Sequence, residues 1–488
     1  MTQTARLILD VPAHLHSVAQ AAVVHSLSTD QTNAAGTLSI VVQRSKDGWH
    51  CRASYAGAVW DLHDRDITAS HYDEGDWLRR EKELVRLGVM RVLQEALELP
   101  TKPWGILTGV RPTKMLHNMW DRGFSLAYMD TLLREIYGVS TKRRQWALEV
   151  AGHQRALFPE DPNRAVSVYV GIPFCPTRCG YCSFAAYPLA THGHLLKPFV
   201  QGLVEEITAL GALLKELAIP VQTVYVGGGT PTVLQGDVLQ QVLDVIEAQL
   251  QTAECSEYTV EAGRPETLTE DTVRRLRAAG VGRVSINPQT MRSATLQRIG
   301  RQHTPEDVEH AFELVRASGI PLINTDVILG LPGESLADVE YTLQRLEPLR
   351  PEHLTVHTLA WKRAAQWESQ KERKHVHQNL SHVMVEEARN TAIRWGLIPY
   401  YLYRQRDIVG GLENIGYGRP GTESLYNIVM MEEKQTVLGV GAGAITKFVT
   451  AAGEVSRQAN PKCPATYAQN VGNLVDQKKK RFEALLGV

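Results

Sequence analysis

Cys175-Pro-Thr-Arg-Cys179-Gly-Tyr-Cys182 places three thiols within eight residues of a chain that has six cysteines. Thiolates bind soft and borderline metals. Three of them on one short loop can hold three irons of a 4Fe–4S cluster, whereas most protein clusters take four cysteines. A missing fourth thiolate leaves one iron open to a small molecule. Two other readings use the same residues. Zinc needs four ligands, and His192 or His194 stands close enough in sequence to complete a tetrahedron. The loop could also be a structural thiol cluster. Cys51, Cys255 and Cys463 stand alone and read as buried apolar residues.

Other residues could assist a bound small molecule. Gly227-Gly228-Gly229-Thr230-Pro231 lets a ligand approach bare backbone N–H and C=O groups. Glu261 offers a carboxylate to ribose hydroxyls, and Gln289 follows another strand-like run. Asp326 sits inside Ile323-Asn-Thr-Asp-Val-Ile-Leu-Gly330, a stretch that reads as a buried strand. A charge there is costly unless paired, so Asp326 is either functional or the structural partner of Arg301. Gly439-Val-Gly-Ala-Gly-Ala444 imitates a dinucleotide fingerprint, but no acidic residue stands at the required offset and no βαβ unit surrounds it. Trp104 to Lys114, with Arg111 and Lys114 beside turn residues, reads as an inter-domain or substrate-facing loop.

The elements that must position these groups change character along the chain. Residues 1–160 read as a separate α+β domain: alternating apolar positions at 4–10 and 37–61 predict strands, and residues 13–27, 76–99 and 126–157 predict helices. Residues 161–360 alternate between the two periodicities. Predicted strands at 166–172, 221–226, 257–261, 283–287, 322–328 and 353–357 are separated by helices at 195–217, 233–250, 270–279, 293–299, 305–317 and 336–346. Repeated β–α units imply a parallel sheet with right-handed crossovers. Six of them suit an open, partial (β/α)6 TIM-type barrel, in which the C-terminal strand ends carry the site. The cysteine loop, the glycine run, Glu261 and Gln289 all fall there. Residues 361–488 pattern more loosely and read as a mostly helical region that covers the substrate; 366–374 is a charged, solvated helix face, and the last 25 residues form a docking helix.

Composition narrows the partners. The chain has 488 residues and a formal net charge of −1, so no global field favours nucleic acid or an anionic membrane. The first residues lack a signal-peptide core, and the uncharged stretch 217–236 holds three consecutive glycines and two prolines, so no membrane span is expected. Clustered, unpaired cysteines fit a reducing cytoplasm.

The cysteine spacing resembles the signature of the radical S-adenosylmethionine (SAM) enzymes. Tyr169-Val-Gly-Ile-Pro-Phe-Cys175, the Gly227–Thr232 run, Ser285-Ile-Asn-Pro-Gln289, Gly300-Arg-Gln-His-Thr304 and Asp326 with Gly330-Leu-Pro-Gly333 resemble, in order, the oxygen-independent coproporphyrinogen III oxidase family. The long N-terminal segment, Trp104–Lys114 and Leu412-Glu-Asn-Ile-Gly-Tyr417 are similar to its coproporphyrinogen dehydrogenase (HemZ) subgroup. The resemblance implies a radical SAM barrel. Its 4Fe–4S cluster would sit on Cys175, Cys179 and Cys182, with SAM lined by Tyr169, Tyr181, Gly228, Gly229, Thr230, Glu261, Gln289, Arg301, Asp326 and Ala360. Gly439–Ala444 becomes a turn that sets Ile445 against the adenine. The implied activity is conversion of coproporphyrinogen III to protoporphyrinogen IX in haem biosynthesis, fed by a reductant protein such as flavodoxin or ferredoxin. Arg264, Arg283, Lys362, Arg363, Arg404 and Arg406 would meet the substrate's carboxylates. The classical enzyme has a further cysteine two positions after the third ligand, where this chain has Phe184. Haem chaperones share that replacement, so a cluster-bearing haem chaperone is one alternative. A radical SAM enzyme of another tetrapyrrole is another.

Overall fold

Apolar residues at every second position of residues 36–45, 48–55 and 58–64 fold as strands of one sheet. The structure is a computed structural model and describes residues 7–27, 36–45, 48–64, 77–99, 102–109, 111–159, 161, 164–361, 378–405 and 408–486. Two units are distinguished, residues 1–149 and 150–488. In the first, β1 (Leu7–Asp10), β2 (Gly36–Ser45), β3 (Gly48–Tyr55) and β4 (Ala58–Asp64) lie in that order, β1 parallel to β2 and the rest antiparallel. Trp49, Cys51, Ala53 and Tyr55 of β3 pack with Leu15, Ala19, Leu84, Val85, Val89 and Val92, brought by the segment around α1 (His16–Ser26) and by α2 (Trp77–Ala96). Cys51 is apolar in practice, because burial pushes its thiol up to about 12. The predicted loop at 104–114 ends differently: Pro112 opens α3 (Pro112–Asp121). Proline is tolerated in a first helical turn, where its missing N–H costs nothing. Helices α4 (Leu126–Glu135) and α5 (Thr141–Arg155) follow.

The second unit contains the alternation read from the sequence. After β5 (Val166–Ile172) come the short β6 (Phe174–Cys175), β7 (Tyr187–Pro188) and α6 (Leu189–His192), then α7 (Leu196–Glu216). The series continues β8 (Val221–Gly228), α8 (Gly236–Leu250), β9 (Glu257–Ala262), α9 (Glu270–Ala278), β10 (Arg283–Ile286), α10 (Ser293–Arg298), α11 (Pro305–Ser318), β11 (Leu322–Leu329), α12 (Leu336–Leu346) and β12 (His353–Thr358). Strands β5, β8, β9, β10, β11 and β12 are neighbours in chain order and all parallel. Thr304 with Asp307 and Ser335 with Asp338 close capping boxes that start α11 and α12.

Beyond β12 the chain is richer in strands than its sequence suggested. Besides α13 (Gln378–Arg394), α14 (Leu425–Glu432), α15 (Pro464–Gln469) and α16 (Val471–Leu486), it forms β13 (Ile398–Tyr403), β14 (Asn414–Gly418), β15 (Val437–Gly441), β16 (Ile445–Val449) and β17 (Val455–Ala459). These extend the sheet to eleven strands, with β14 antiparallel to β12 and β15 parallel to β5. The open edges of the parallel core are thereby covered. Residues 366–374 lie outside the described residues. Among the described residues no helix is long and apolar enough to cross a membrane.

The C-terminal helix docks as expected, through a buried ion pair. Lys478 donates to Glu206 of α7 at 2.6 Å and to the Gly439 carbonyl at 2.6 Å, and both charged side chains have zero exposure. Glu206 also accepts from Tyr467 (2.6 Å), Asn460 (3.1 Å) and the Gly441 N–H (2.8 Å). Gly439–Ala444 is therefore a hairpin turn whose N–H faces a carboxylate, the opposite of a phosphate cradle. Gly441 has φ +89°, and a Cβ there would collide with the Gly171 carbonyl of β5.

Candidate active site

A parallel sheet is ordinarily apolar on both faces. Here Tyr169, Tyr225, Glu261, Asn324, Asp326 and His357 are only half-buried, and their strand neighbours on either side are mostly buried. They line a polar inner face that reaches the C-terminal strand ends. Tyr225 stacks on Tyr426 with centroids 4.4 Å apart, and Tyr169 lies 6.3 Å from Tyr225. Tyr225 donates to Glu261 Oε1 at 2.7 Å, and the Gly228 N–H donates to Oε2 at 3.2 Å. Burial pushes the Glu261 carboxyl up to about 7; the Tyr225 hydroxyl opposes that, and the Asp326 carboxylate adds to it.

Asp326 is not held by Arg301. Asn324 donates to it at 2.8 Å, and His357 Nε2 stands 3.5 Å away. Arg301 donates instead to the Asn287 carbonyl. Gln289 takes φ +69°, pinned by its N–H to the Asp326 carbonyl (3.0 Å) and by the Ile328 N–H to its own carbonyl (3.0 Å). Its Oε1, and Nε of Arg301, are buried with no hydrogen-bond partner among the described residues. Such groups are costly to leave unmade. Tyr181 packs among Leu296, Ile299, Ile328 and Leu359. Ala360 follows β12 and bridges to Ile408. Ile445 starts β16, 41% exposed, just after Ala442 and Ala444, whose atoms approach Gly171 at the end of β5.

The cysteine loop hangs from β6. Its backbone is fixed by Cys182 N–H to the Cys179 carbonyl (3.1 Å), Gly180 N–H to the Ile299 carbonyl (3.1 Å) and the Thr177 hydroxyl to the Gly300 carbonyl (3.1 Å). Gly229 presses against it: a Cβ there would meet the Phe174 carbonyl and come within 3.0 Å of Cys175 Sγ. Thr230 donates to Cys175 Sγ at 3.6 Å. Burial pushes the Cys175 thiol up to about 11, with the Thr230 hydroxyl opposing and Cys182 and Cys179 adding to the shift. Loading metal must therefore displace a proton.

The donor set fits an iron–sulfur cluster better than zinc. Around a single zinc, with Zn–S about 2.3 Å, sulfurs fall roughly 4 Å apart. Among the described residues only His50, Asp61 and His63 gather three ligand atoms within 4.8 Å of one another; the three thiols do not come that close together. A polynuclear body spans wider ligands. His192 and His194 add no ligand set here.

Sequence reasoning placed Arg264 at the substrate, but the structure puts it beside the cysteines. Buried, it pairs with Glu266 at 2.8 Å, donates to the Thr177 hydroxyl at 2.9 Å and to Cys179 Sγ at 3.6 Å. Arg283 opens β10, the wrong end for the site, and is paired with Glu257 at 2.8 Å. Arg404 donates to the Gly411 and Leu412 carbonyls. Lys362, Arg363 and Arg406 lie outside the described residues. Tyr225, Tyr426, His357 and Asn324 were missed. Three of the four were discoverable as polar residues at alternate positions of otherwise apolar strands.

Residues 169–346 match the model of the radical SAM superfamily. The chain is 39% identical over 393 residues to the oxygen-independent coproporphyrinogen-III oxidase-like protein HemZ of Bacillus subtilis, covering 79% of this chain and 78% of that one. It is 34% identical over 194 residues to the haem chaperone HemW of the same organism, covering 40% of this chain and half of HemW. The fold matches that of coproporphyrinogen III oxidase (HemN) from Escherichia coli, with a TM-score of 0.53 and 22% identity over 67% of this chain and 73% of that one.

Proposed function

From the premise that the chain belongs to the radical SAM superfamily, and within it to the family of HemZ, we propose that it decarboxylates coproporphyrinogen III to protoporphyrinogen IX without oxygen. The observation that carries this reading is a three-thiol loop facing a polar strand-end surface in a chain similar to HemZ over most of both lengths. When bound, the cluster and SAM supply a hydrogen-abstracting radical; the chain supplies position and dryness. Cys175, Cys179 and Cys182 hold the cluster. Glu261, oriented by Tyr225 and the Gly228 N–H, accepts from the ribose hydroxyls. Gln289, Arg301 and Asp326 take the remaining polar groups of SAM. Tyr169, Tyr181, Gly228, Gly229, Thr230, Ala360 and Ile445 complete the wall. A low-potential protein, a flavodoxin or a ferredoxin, delivers the electron in a reducing cytoplasm.

Glu261→Gln is expected to weaken SAM binding about ten- to a hundredfold, the worth of one or two hydrogen bonds to a charged acceptor. In the native protein SAM affinity should rise with pH through about 7, as the carboxyl ionises. Stability has the opposite sign. The folded value lies above the ordinary 4.5, so this group's contribution is full below 4.5 and is lost as pH rises through about 7. Calorimetric titrations across that range should show the slope in the native protein and a flat profile in the variant.

Arg264→Gln removes a cation that donates to a cluster-ligand sulfur. The cluster potential should fall by on the order of 50–100 mV, read by potentiometric titration.

Anaerobic incubation of the reconstituted protein with reductant, SAM and coproporphyrinogen III tests the main reading. Decarboxylated porphyrin and 5′-deoxyadenosine are expected together. A second reading, a haem chaperone, is favoured by Phe184, 66% exposed beside the cysteine loop, and by the likeness to HemW. Tight haem binding with background turnover would displace the enzyme in its favour.

A further inference from the structure

We propose that β3 and β4 carry a second, independent metal site, a two-histidine, one-carboxylate centre for a borderline divalent cation such as Zn2+. His50 and His63 are directly opposed across the antiparallel pair, and Asp61 lies two residues from His63 on the same face. The opposite face of β3, with Trp49, Cys51 and Ala53, is in the core, so period-two alternation aims His50, Asp61 and His63 outward. The imidazoles stack with centroids 4.2 Å apart and planes 12° from parallel. Both direct Nε2 at one oxygen: His50 is 2.8 Å and His63 3.4 Å from Asp61 Oδ1. Two ring nitrogens crowding a single carboxylate oxygen leave that oxygen a shared acceptor. Replacing the two protons by one cation gives each atom its own bond.

The three ligand atoms lie within 4.8 Å of one another, and all three side chains are 31–60% exposed, so a cation can enter and keep water in its open positions. Imidazole and carboxylate together suit Zn2+, Ni2+ or Cu2+ rather than Mg2+ or Ca2+. Among the described residues, the opposing charge is Arg52, opposite Asp61 in the register, with Nε 4.0 Å from Asp61 Oδ2. It competes for the carboxylate, so binding and the Arg52–Asp61 contact exclude each other in part. A bound ion would clip β4, the edge strand of its sheet, to β3. This site is independent of the cysteine loop, and its test does not depend on the enzyme reading.

The probe is Co2+, with Zn2+ in competition. The full chain carrying Cys175→Ala, Cys179→Ala and Cys182→Ala removes the competing thiolates. One Co2+ per chain is expected, with visible bands of nitrogen and oxygen ligation and no sulfur charge-transfer band. His50→Ala, His63→Ala and Asp61→Asn should each weaken binding by about tenfold or more, whereas Arg52→Ala should tighten it. Because the triple-cysteine variant could fold poorly, the native chain bearing its cluster is dialysed against Zn2+ and analysed for metal. One zinc beside the iron is expected, lost in His50→Ala/His63→Ala. Absence of saturable binding up to millimolar metal, or binding indifferent to both histidine substitutions, overturns the proposal.

Discussion

Cys179→Ala is expected to leave a folded protein that takes up no iron–sulfur cluster and forms 5′-deoxyadenosine at background, about a thousandfold or more below the native rate. The fold should survive because the loop is held by its backbone: the Cys179 carbonyl accepts from Cys182, and Gly180 and Thr177 anchor to Ile299 and Gly300. None of those bonds uses the thiol. The chemistry should not survive, since on the proposed ligand set only two thiolates would remain for a cluster whose fourth corner is left to SAM. Cys175→Ala and Cys182→Ala should behave alike. Cys255→Ala and Cys463→Ala should load iron normally, as neither residue belongs to the loop. Iron and sulfide analysis beside the ultraviolet circular dichroism spectrum separates lost ligation from lost folding. Full iron loading in any of the three loop variants would remove that residue from the ligand set.

The largest loss of stability is expected at Lys478→Met, about 3–5 kcal/mol. Lys478 and Glu206 are wholly buried 2.6 Å apart. Removing the ammonium leaves a carboxylate out of water with only neutral donors, Tyr467, Asn460 and the Gly441 N–H. Desolvation, not the loss of attraction alone, sets the size of the effect. The double variant Glu206→Gln/Lys478→Met should therefore recover much of the loss, because a neutral amide keeps most of those partners. Denaturant midpoints of the single and double variants measure this. A double variant as unstable as Lys478→Met alone would show that packing, not charge burial, governs the site. The lock also has a functional reach. Glu206 holds Gly441, β15 runs beside β5, and β5 leads into the cysteine loop.

The parallel core was legible because each of its strands and helices carries its own periodicity. Strand β5 and helix α12 begin and end where alternation and capping residues place them. The cysteine loop stood out by its spacing, which still left zinc open, and the glycine run gained weight only from its place at the end of a strand. Strands β13 to β17 were not. Segments such as Asn414-Ile-Gly-Tyr-Gly418 and Val437-Leu-Gly-Val-Gly441 are short and glycine-rich, and become strands by pairing with an edge far away in sequence. The role of Arg264 was hidden for a similar reason: its position after β9 was readable, but its contact with Cys179, 85 residues earlier, is made only once the sheet has formed. Asp326 was singled out as costly unless paired; its neighbours are Asn324 and His357 rather than Arg301. Charge cost shows that a partner is needed without saying which.

Electron paramagnetic resonance of the anaerobically reconstituted, reduced protein, recorded with and without SAM, addresses the vacant fourth corner directly. The expected result is the signal of a reduced 4Fe–4S cluster whose line shape changes when SAM is added, and its loss in Cys179→Ala. A protein that yields no such signal, or one whose signal is indifferent to saturating SAM, would contradict the account.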